Sequence, residues 1–174
     1  MRRQIWMGFL SGAALMLLPA MAQRQSADRM ENADSTWAQK AAQGGMAEVK
    51  LGQLASSRGS SQLVKDFAQT MVDDHSKAND ELKEIASRKG ITLPSDLSAK
   101  DQTAYDGLSK LSGAEFDKAY IADMVRDHRA GVQEFRHEST NGTDPDLKAF
   151  ASKTLPVIEH HLSMAEQDEI HSGK

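Results

Sequence analysis

The sequence contains no cysteine, so disulfide bonds, thiolate metal ligands and a cysteine nucleophile are all excluded. It has only 4 prolines, and aromatic residues make up 5% of the chain. It also lacks a glycine-rich phosphate loop and a serine in the sequence context of a hydrolase. No catalytic residue is indicated, so an enzymatic activity is not expected. With 174 residues, 39% of them hydrophobic, the chain is still long enough for one domain with its own core.

Long apolar runs are missing everywhere except at the N-terminus. There, a basic MRR precedes the apolar stretch IWMGFLSGAALMLL, and Ala20-Met21-Ala22 fits a cleavage site. This order predicts that residues 1–22 are a secretory signal peptide, and that the protein is periplasmic or otherwise exported. The alternative is an uncleaved membrane anchor, but the run is shorter than the ~20 residues that a spanning helix needs.

Positive charge is scarce once the signal peptide is removed. Its removal deletes Arg2 and Arg3 but no acidic residue, which leaves 19 basic and 25 acidic side chains and a net charge of −6. An acidic chain of this kind is poorly suited to nucleic acid phosphates or to an anionic membrane surface. We therefore expect neither a nucleic acid partner nor a membrane span in the mature chain. A protein partner or a homo-oligomer stays open.

Helical periodicity dominates the rest of the chain. Residues 23–34 are polar and unpatterned and are predicted to be a flexible leader, the domain is expected over residues 35–168, and residues 169–174 are expected to be a polar tail. Four long amphipathic helices and one short helix are predicted, at about 35–57, 60–90, 99–111, 114–139 and from 145 onward. No segment alternates like a strand, so the expected class is all-α.

The connections between the helices predict how they are arranged. A short turn near Gly59 joins helices 1 and 2, and TNGTD joins the last two long helices, so each pair should form an antiparallel hairpin. The middle connection of roughly 22 residues can span about 50 Å, which is the length of a long helix. These lengths predict a ferritin-like four-helix bundle, with a long crossover containing a short helix between helices 2 and 3. A plain up-down-up-down bundle is the alternative.

A short motif occurs twice in this otherwise unrepetitive chain. MVDDH covers residues 71–75 and MVRDH covers residues 124–128. The repeat places His75 and His128 within apolar helix stripes, and Glu48 and His161 have the same position on their own helices. Each long helix thus directs one ionisable side chain toward the core. Four such groups are costly to bury unless they bind one another or share a ligand.

Imidazoles with one carboxylate are suitable ligands for a single transition metal such as zinc or copper. We therefore predict a metal site formed by Glu48, His75, His128 and His161. Five further residues are candidate supporting groups: Asp74 and Asp127 beside two of the histidines, and Met71, Met124 and Met164 on the same helix faces. The methionine thioethers favour copper. The alternative is a purely structural network of buried polar groups, with methionine as core filler.

Several segments resemble a known family. They are AAQGGMAEVKLGQLAS from Ala41, KDFAQTMVDDHSKANDEL from Lys65, ITLP from Ile91, YIADMVRDH from Tyr120 and DPDLKAFASKTLPVIEHHLSMA from Asp144. Together they are similar to the exported bacterial proteins of domain-of-unknown-function family 4142. The resemblance implies a ferritin-like helical bundle and an exported location, but it supplies no activity.

The sequence departs from the di-iron pattern of ferritin-like proteins. That pattern needs a glutamate three residues before a histidine on two of the helices. Here Val72, Val125 and Ile158 occupy the positions three residues before the core histidines. Copper or zinc is therefore expected rather than two irons. Two hypotheses follow: a periplasmic metal-binding bundle, or a non-catalytic envelope or stress-related protein with a structural polar network and a protein partner.

Overall fold

Five α-helices make up nearly all of the chain that the structure describes. The computed structural model describes residues 18–172, with side-chain surroundings for residues 32–169, so residues 1–17 of the predicted signal peptide and the last two residues lie outside it. The helices are α1 (Leu18–Arg58), α2 (Gln62–Lys89), α3 (Ala99–Leu108), α4 (Gly113–Asn141) and α5 (Pro145–Ser172). No strand occurs within residues 18–172, and the all-α prediction is confirmed.

Local sequence signals set most of the helix ends. Gly90 ends α2 in the left-handed conformation, with φ 68°, and its N–H donates to backbone carbonyls of the last turn. Asp144 caps α5, because its Oδ1 accepts from the N–H groups of Asp146 and Leu147 at 3.0 Å. Pro145 then occupies the first helical position, where a missing N–H costs nothing.

Helix α1 begins earlier than its sequence indicates. It starts at Leu18 instead of near Ser35, so residues 23–34, which we expected to be a flexible leader, are helical. This stretch contains no glycine or proline that would stop a helix. At the other end of the chain, α5 extends to Ser172, so most of the expected polar tail at 169–174 is also helical.

The long helices form two antiparallel hairpins, α1–α2 and α4–α5, as predicted. Helices α2 and α4 start at the same end of the bundle and run parallel, because the Asp117 side chain near the start of α4 contacts the backbone at the start of α2. The crossover therefore spans the length of the bundle and carries α3, which lies against α1 and α4. The ferritin-like connectivity is confirmed. None of the helices within the described residues has the length and apolar character needed to cross a membrane.

Two buried aspartates, which we call the aspartate clamps, tie the hairpins together at opposite ends. Asp117 of α4 accepts from the N–H groups of Ser60 and Ser61 and from the Ser60 hydroxyl, at distances from 2.6 Å to 3.2 Å. Asp34 of α1 accepts in the same way from the Thr143 N–H and hydroxyl and from the Asp144 N–H, at 2.6 to 2.9 Å. The clamps and their partners are offset by the same 83 residues, so the two hairpins are structurally equivalent halves.

The core is divided into two apolar clusters with an ionisable layer between them. One cluster is built around Phe67, Phe116 and Tyr120 near the α1–α2 turn. The other is built around Trp37 and Phe150 near the α4–α5 turn. Along each long helix, the predicted metal-site residue lies between the segments that enter these two clusters. The fold thus places the four ionisable side chains at mid-height, inside the bundle.

Candidate metal centre

Three histidines from three different helices meet in the middle layer. His75 comes from α2, His128 from α4 and His161 from α5, and one ring nitrogen of each lies within 4.8 Å of the other two. The ring centroids are 5.3 to 5.7 Å apart. We call these three residues the histidine cluster. The two copies of the repeated motif therefore bring their histidines together across the crossover, and α5 adds the third.

Backbone geometry fixes the orientation of His128. Its Nδ1 lies 2.9 Å from the Met124 carbonyl oxygen, four residues earlier in the same helix. A carbonyl oxygen only accepts, so the ring proton is on Nδ1 and Nε2 carries a free lone pair. His128 is 3% exposed, and its Nε2 is buried without a hydrogen-bond partner among the described residues.

A carboxylate from a neighbouring helix orients His161. Its Nε2 lies 2.9 Å from Asp74 Oδ2, so this nitrogen carries the ring proton and donates to the carboxylate. The free lone pair is then on Nδ1, which is buried and has no partner within the described part of the chain. A carboxylate that holds the far nitrogen of a histidine is the usual support for a metal-ligating imidazole. Asp74 thus supports the histidine of α5, although it precedes His75 in sequence.

All three imidazoles are held in the neutral form. Burial lowers the pKa of His75 well below its usual value, and the neighbouring His128 lowers it further. Burial and His161 lower the pKa of His128 to about 4. Burial also lowers the pKa of His161, although Asp74 opposes this shift. His75 Nε2 is a third buried nitrogen without a partner in residues 32–169. Neutral imidazoles with unpaired nitrogens are the form that binds metals.

Glu48 lies beside the histidine cluster and is not part of it. Its Oε1 is 3.9 Å from His128 Nδ1, on the ring nitrogen that already faces the Met124 carbonyl. Its Oε2 is buried and has no partner within residues 32–169. Burial raises the pKa of Glu48 to about 8, and the acidic Asp127 and Asp101 add to the shift. One of the four predicted ligands, Glu48, therefore lies next to the site, and its raised pKa favours the protonated carboxyl group.

The remaining candidate residues are divided between the surface and the core. Asp127 accepts from Lys100 and Arg126, so its carboxylate is engaged at the surface. Met71 and Met124 are fully buried in the apolar cluster around Phe67, and Met164 packs against that cluster. Met124 contributes through its backbone carbonyl, a role that sequence reasoning missed because any helical residue offers it.

A cavity of about 330 Å³ lies next to the histidine cluster. His75, His128 and Glu48 form part of its wall, together with the apolar side chains of Leu82 and Phe150. Its lining also includes residues at the start of α3, such as Lys100, and exposed Gly44 of α1. The histidine cluster is therefore flanked by space on one side and by packed core on the other.

Comparison with known proteins places this geometry in a family context. A family model described as "Domain of unknown function (DUF4142)" matches residues 19–167. Among solved structures, the chain is similar to the crystal structure of a DUF305 fragment from Deinococcus radiodurans, with a TM-score of 0.69 and 14% identity over 77% of this chain and 93% of that chain. At this identity the likeness shows the helical fold alone. A search of curated proteins found no match.

Proposed function

The chain belongs to the DUF4142 family, as its helix motifs predicted, and we propose that it binds one transition-metal ion through His75, His128 and His161. One observation carries the proposal. One ring nitrogen from each of three histidines on three helices lies within 4.8 Å of the other two. Each of these histidines also has one buried ring nitrogen without a hydrogen-bond partner among the described residues. A metal ion accepts all three lone pairs at once.

A purely structural hydrogen-bond network explains this arrangement less well. The ring protons of His128 and His161 are already directed at Met124 and Asp74, so these two rings face the centre with acceptors only. A neutral His75 has one ring proton and satisfies at most one of them. At least one buried acceptor is then left without a donor, which costs about 1 to 3 kcal/mol. Three inward lone pairs favour a cation in the centre.

The ligand set favours zinc or copper over a di-iron centre. Imidazole nitrogens suit zinc and copper, whereas a di-iron site is built mainly from bridging carboxylates. Two carboxylates lie beside the cluster, Glu48 and Asp74, and neither belongs to the group of three; Asp74 is bonded to the far nitrogen of His161. The methionine sulfurs that favoured copper in the sequence pack in an apolar cluster, so the choice between the two metals depends on the imidazoles alone.

The proposed setting is the periplasm, since residues 1–22 have the order of a secretory signal peptide. In that compartment a cysteine-free imidazole site would sequester or buffer the metal without oxidation of its ligands. We propose this storage or buffering role and no catalytic one.

Untagged protein purified from the periplasm tests the proposal by elemental analysis and by titration with Zn²⁺ and Cu²⁺. We expect about one metal per chain, and a loss of tight binding in His161→Gln. The matched control is His160→Gln, which changes the preceding, exposed histidine of the same helix. Equal binding by both variants, or none by the wild type, would favour the structural network instead.

A further inference from the structure

The cavity beside the histidine cluster has the features of a site for a second ligand. Its volume of about 330 Å³ is within the range of small-molecule pockets. Two of the three histidines line it directly, and the third, His161, is almost fully buried behind them. A metal bound to the cluster is therefore approached from the cavity side.

The number of protein ligands is the second observation. Metal sites that serve only structure are closed by four protein side chains, whereas sites with three protein ligands leave one position for an exogenous ligand. The cluster supplies three nitrogens, and the Glu48 carboxylate, which also lines the cavity, lies outside the group. A metal held by these three nitrogens would have a fourth position for an exogenous ligand, and the cavity lined by His75 and His128 offers the space for one.

The walls of the cavity indicate what kind of ligand fits. Its buried part includes the apolar side chains of Leu82, Phe150 and Ile158, and half-buried Phe135 adjoins them. Its exposed part carries charged side chains of both signs, among them Lys40, Lys100 and Glu134. The rings of Phe135 and Phe150 are 6.2 Å apart and belong to the packed core around Trp37. A ligand with a charged head at the metal and a flat apolar body against these rings matches both ends of the cavity.

We propose that this cavity binds a small carboxylate with an apolar body, of about the size of benzoate, whose carboxylate occupies the open position on the metal. This inference rests on the proposed metal site. The three imidazoles are neutral, so the bound divalent ion keeps its full positive charge and attracts an anion. The apolar wall then selects an aromatic or branched carboxylate over acetate.

The glycine at the cavity mouth provides a way to block access without touching a ligand. Gly44 is exposed, lines the cavity, and a Cβ built on it meets nothing within 4 Å. Gly44→Leu therefore adds a side chain at the mouth and also removes a helix-destabilising glycine. Gly107 in α3 is equally open and exposed but is not part of the lining, so Gly107→Leu is the matched control.

The test uses Co²⁺ as a probe, because its visible absorption reports both metal binding and a change of ligand. Loading the mature wild type with Co²⁺ should produce absorption bands, and benzoate should shift them with an affinity about tenfold or more higher than that of acetate. Gly44→Leu should keep the Co²⁺ bands and weaken benzoate binding by at least about tenfold, whereas Gly107→Leu should behave as the wild type.

The outcomes separate the two proposals. If Co²⁺ binds through the histidines but neither benzoate nor azide changes the bands, the fourth position is closed, and the inference is wrong while the metal site stands. Equal affinity for acetate and benzoate, or unchanged benzoate binding in Gly44→Leu, would also overturn it. If no Co²⁺ binds, the metal site itself fails and the inference fails with it.

Discussion

The aspartate clamps and the histidine cluster are both buried and polar, but they differ in how completely their atoms are paired. Each clamp carboxylate accepts hydrogen bonds from two backbone N–H groups and one hydroxyl. The three histidines instead leave one ring nitrogen each without a partner in the described region. The clamp carboxylates accept hydrogen bonds from backbone N–H groups at the two hairpin turns, so they serve the fold itself. The histidine cluster leaves buried ring nitrogens unpaired by the protein, and a bound metal ion would pair them.

The symmetry of the two hairpins also distinguishes the aspartate clamps from the histidine cluster. The clamps occur twice at an offset of 83 residues, as expected for features that any such hairpin needs. The histidines do not repeat at that offset. The equivalents of His75, His128 and His161 in the other hairpin are Ile158, Gly45 and Ala78. A feature that breaks the symmetry of the fold is more readily explained by a function than by folding.

Removing a clamp should have the largest effect on stability. Asp117→Ala leaves the N–H groups of Ser60 and Ser61 at the start of α2 without their buried acceptor. Hydrogen bonds to a charged group each contribute about 1.5 to 3 kcal/mol, so we expect a loss of about 4 kcal/mol in the free energy of unfolding, measured by urea denaturation. Asp66→Ala on the exposed face of α2 is the control and should cost less than about 0.5 kcal/mol. A similarly small effect of Asp117→Ala would contradict the clamp.

Glu48 provides the second test, through pH. Burial raises the pKa of Glu48 from its ordinary value of 4.5 to about 8 in the folded protein. Between these two pH values the metal-free folded chain therefore keeps a proton on Glu48 that the unfolded chain has released. Stability from this group is therefore full at low pH and is lost as the pH rises toward 8. In Glu48→Gln this pH-dependent loss of stability is absent, because glutamine does not ionise. We expect the variant to gain on the wild type by about 3 kcal/mol between pH 5 and pH 8, measured by denaturation in the presence of a chelator.

The pH comparison is made between variants because the histidines act in the opposite direction. His75 and His128 have lowered pKa values, so their contribution is lost as the pH falls below 6.5. The difference between Glu48→Gln and the wild type removes this shared contribution. A difference that does not change with pH would mean that Glu48 is ionised in the folded protein.

Replacing a histidine by an apolar residue should have a small effect on the metal-free protein. His128→Leu keeps the volume roughly constant and removes an unpaired buried nitrogen, so its stability should stay within about 1 kcal/mol of the wild type in chelator. Thermal or urea denaturation gives the comparison with Asp117→Ala directly. A decrease of more than about 3 kcal/mol in the free energy of unfolding would mean that the histidines, like the clamps, are needed for the stability of the fold.

Metal-dependent stabilisation should persist to a lower pH than free histidine allows. Since the pKa of His128 is about 4, the ring stays neutral and competent to bind at pH 6 in the folded chain. Zn²⁺ or Cu²⁺ should therefore raise the melting temperature at pH 7.5 and at pH 6, and hardly at all near pH 4. The His160→Gln control should follow the wild type, and a shift that disappears already at pH 6.5 would mean that the binding histidines are exposed.

Much of the fold follows from local sequence signals, whereas the details of the site depend on tertiary contacts. The caps at Asp144 and Gly90 and the length of the crossover were sufficient to predict the helices and their connectivity. The start of α1 was missed because nothing in residues 23–34 marks a helix as present or absent except its lack of breakers. The partnership of Asp74 with His161 joins α2 to α5, and no spacing along one helix reveals it.

The prediction of Glu48 as a fourth ligand depended on the height of each residue along the bundle. A shift of one helical turn, about 5.4 Å, decides whether a side chain enters a cluster or lies beside it. Sequence spacing gives the face of a helix accurately, but its height only to within about a turn. Despite this limit the three histidines lie together in the structure, whereas the carboxylate of Glu48 on α1 lies beside them.

An anomalous diffraction measurement on crystals of the mature protein grown with Zn²⁺ tests the proposed metal site most directly. We predict one peak at the zinc edge, enclosed by His75 Nε2, His128 Nε2 and His161 Nδ1, with the Asp74 carboxylate still bonded to the far nitrogen of His161. No peak at that position, with zinc found only at exposed histidines such as His137 and His160, would contradict it.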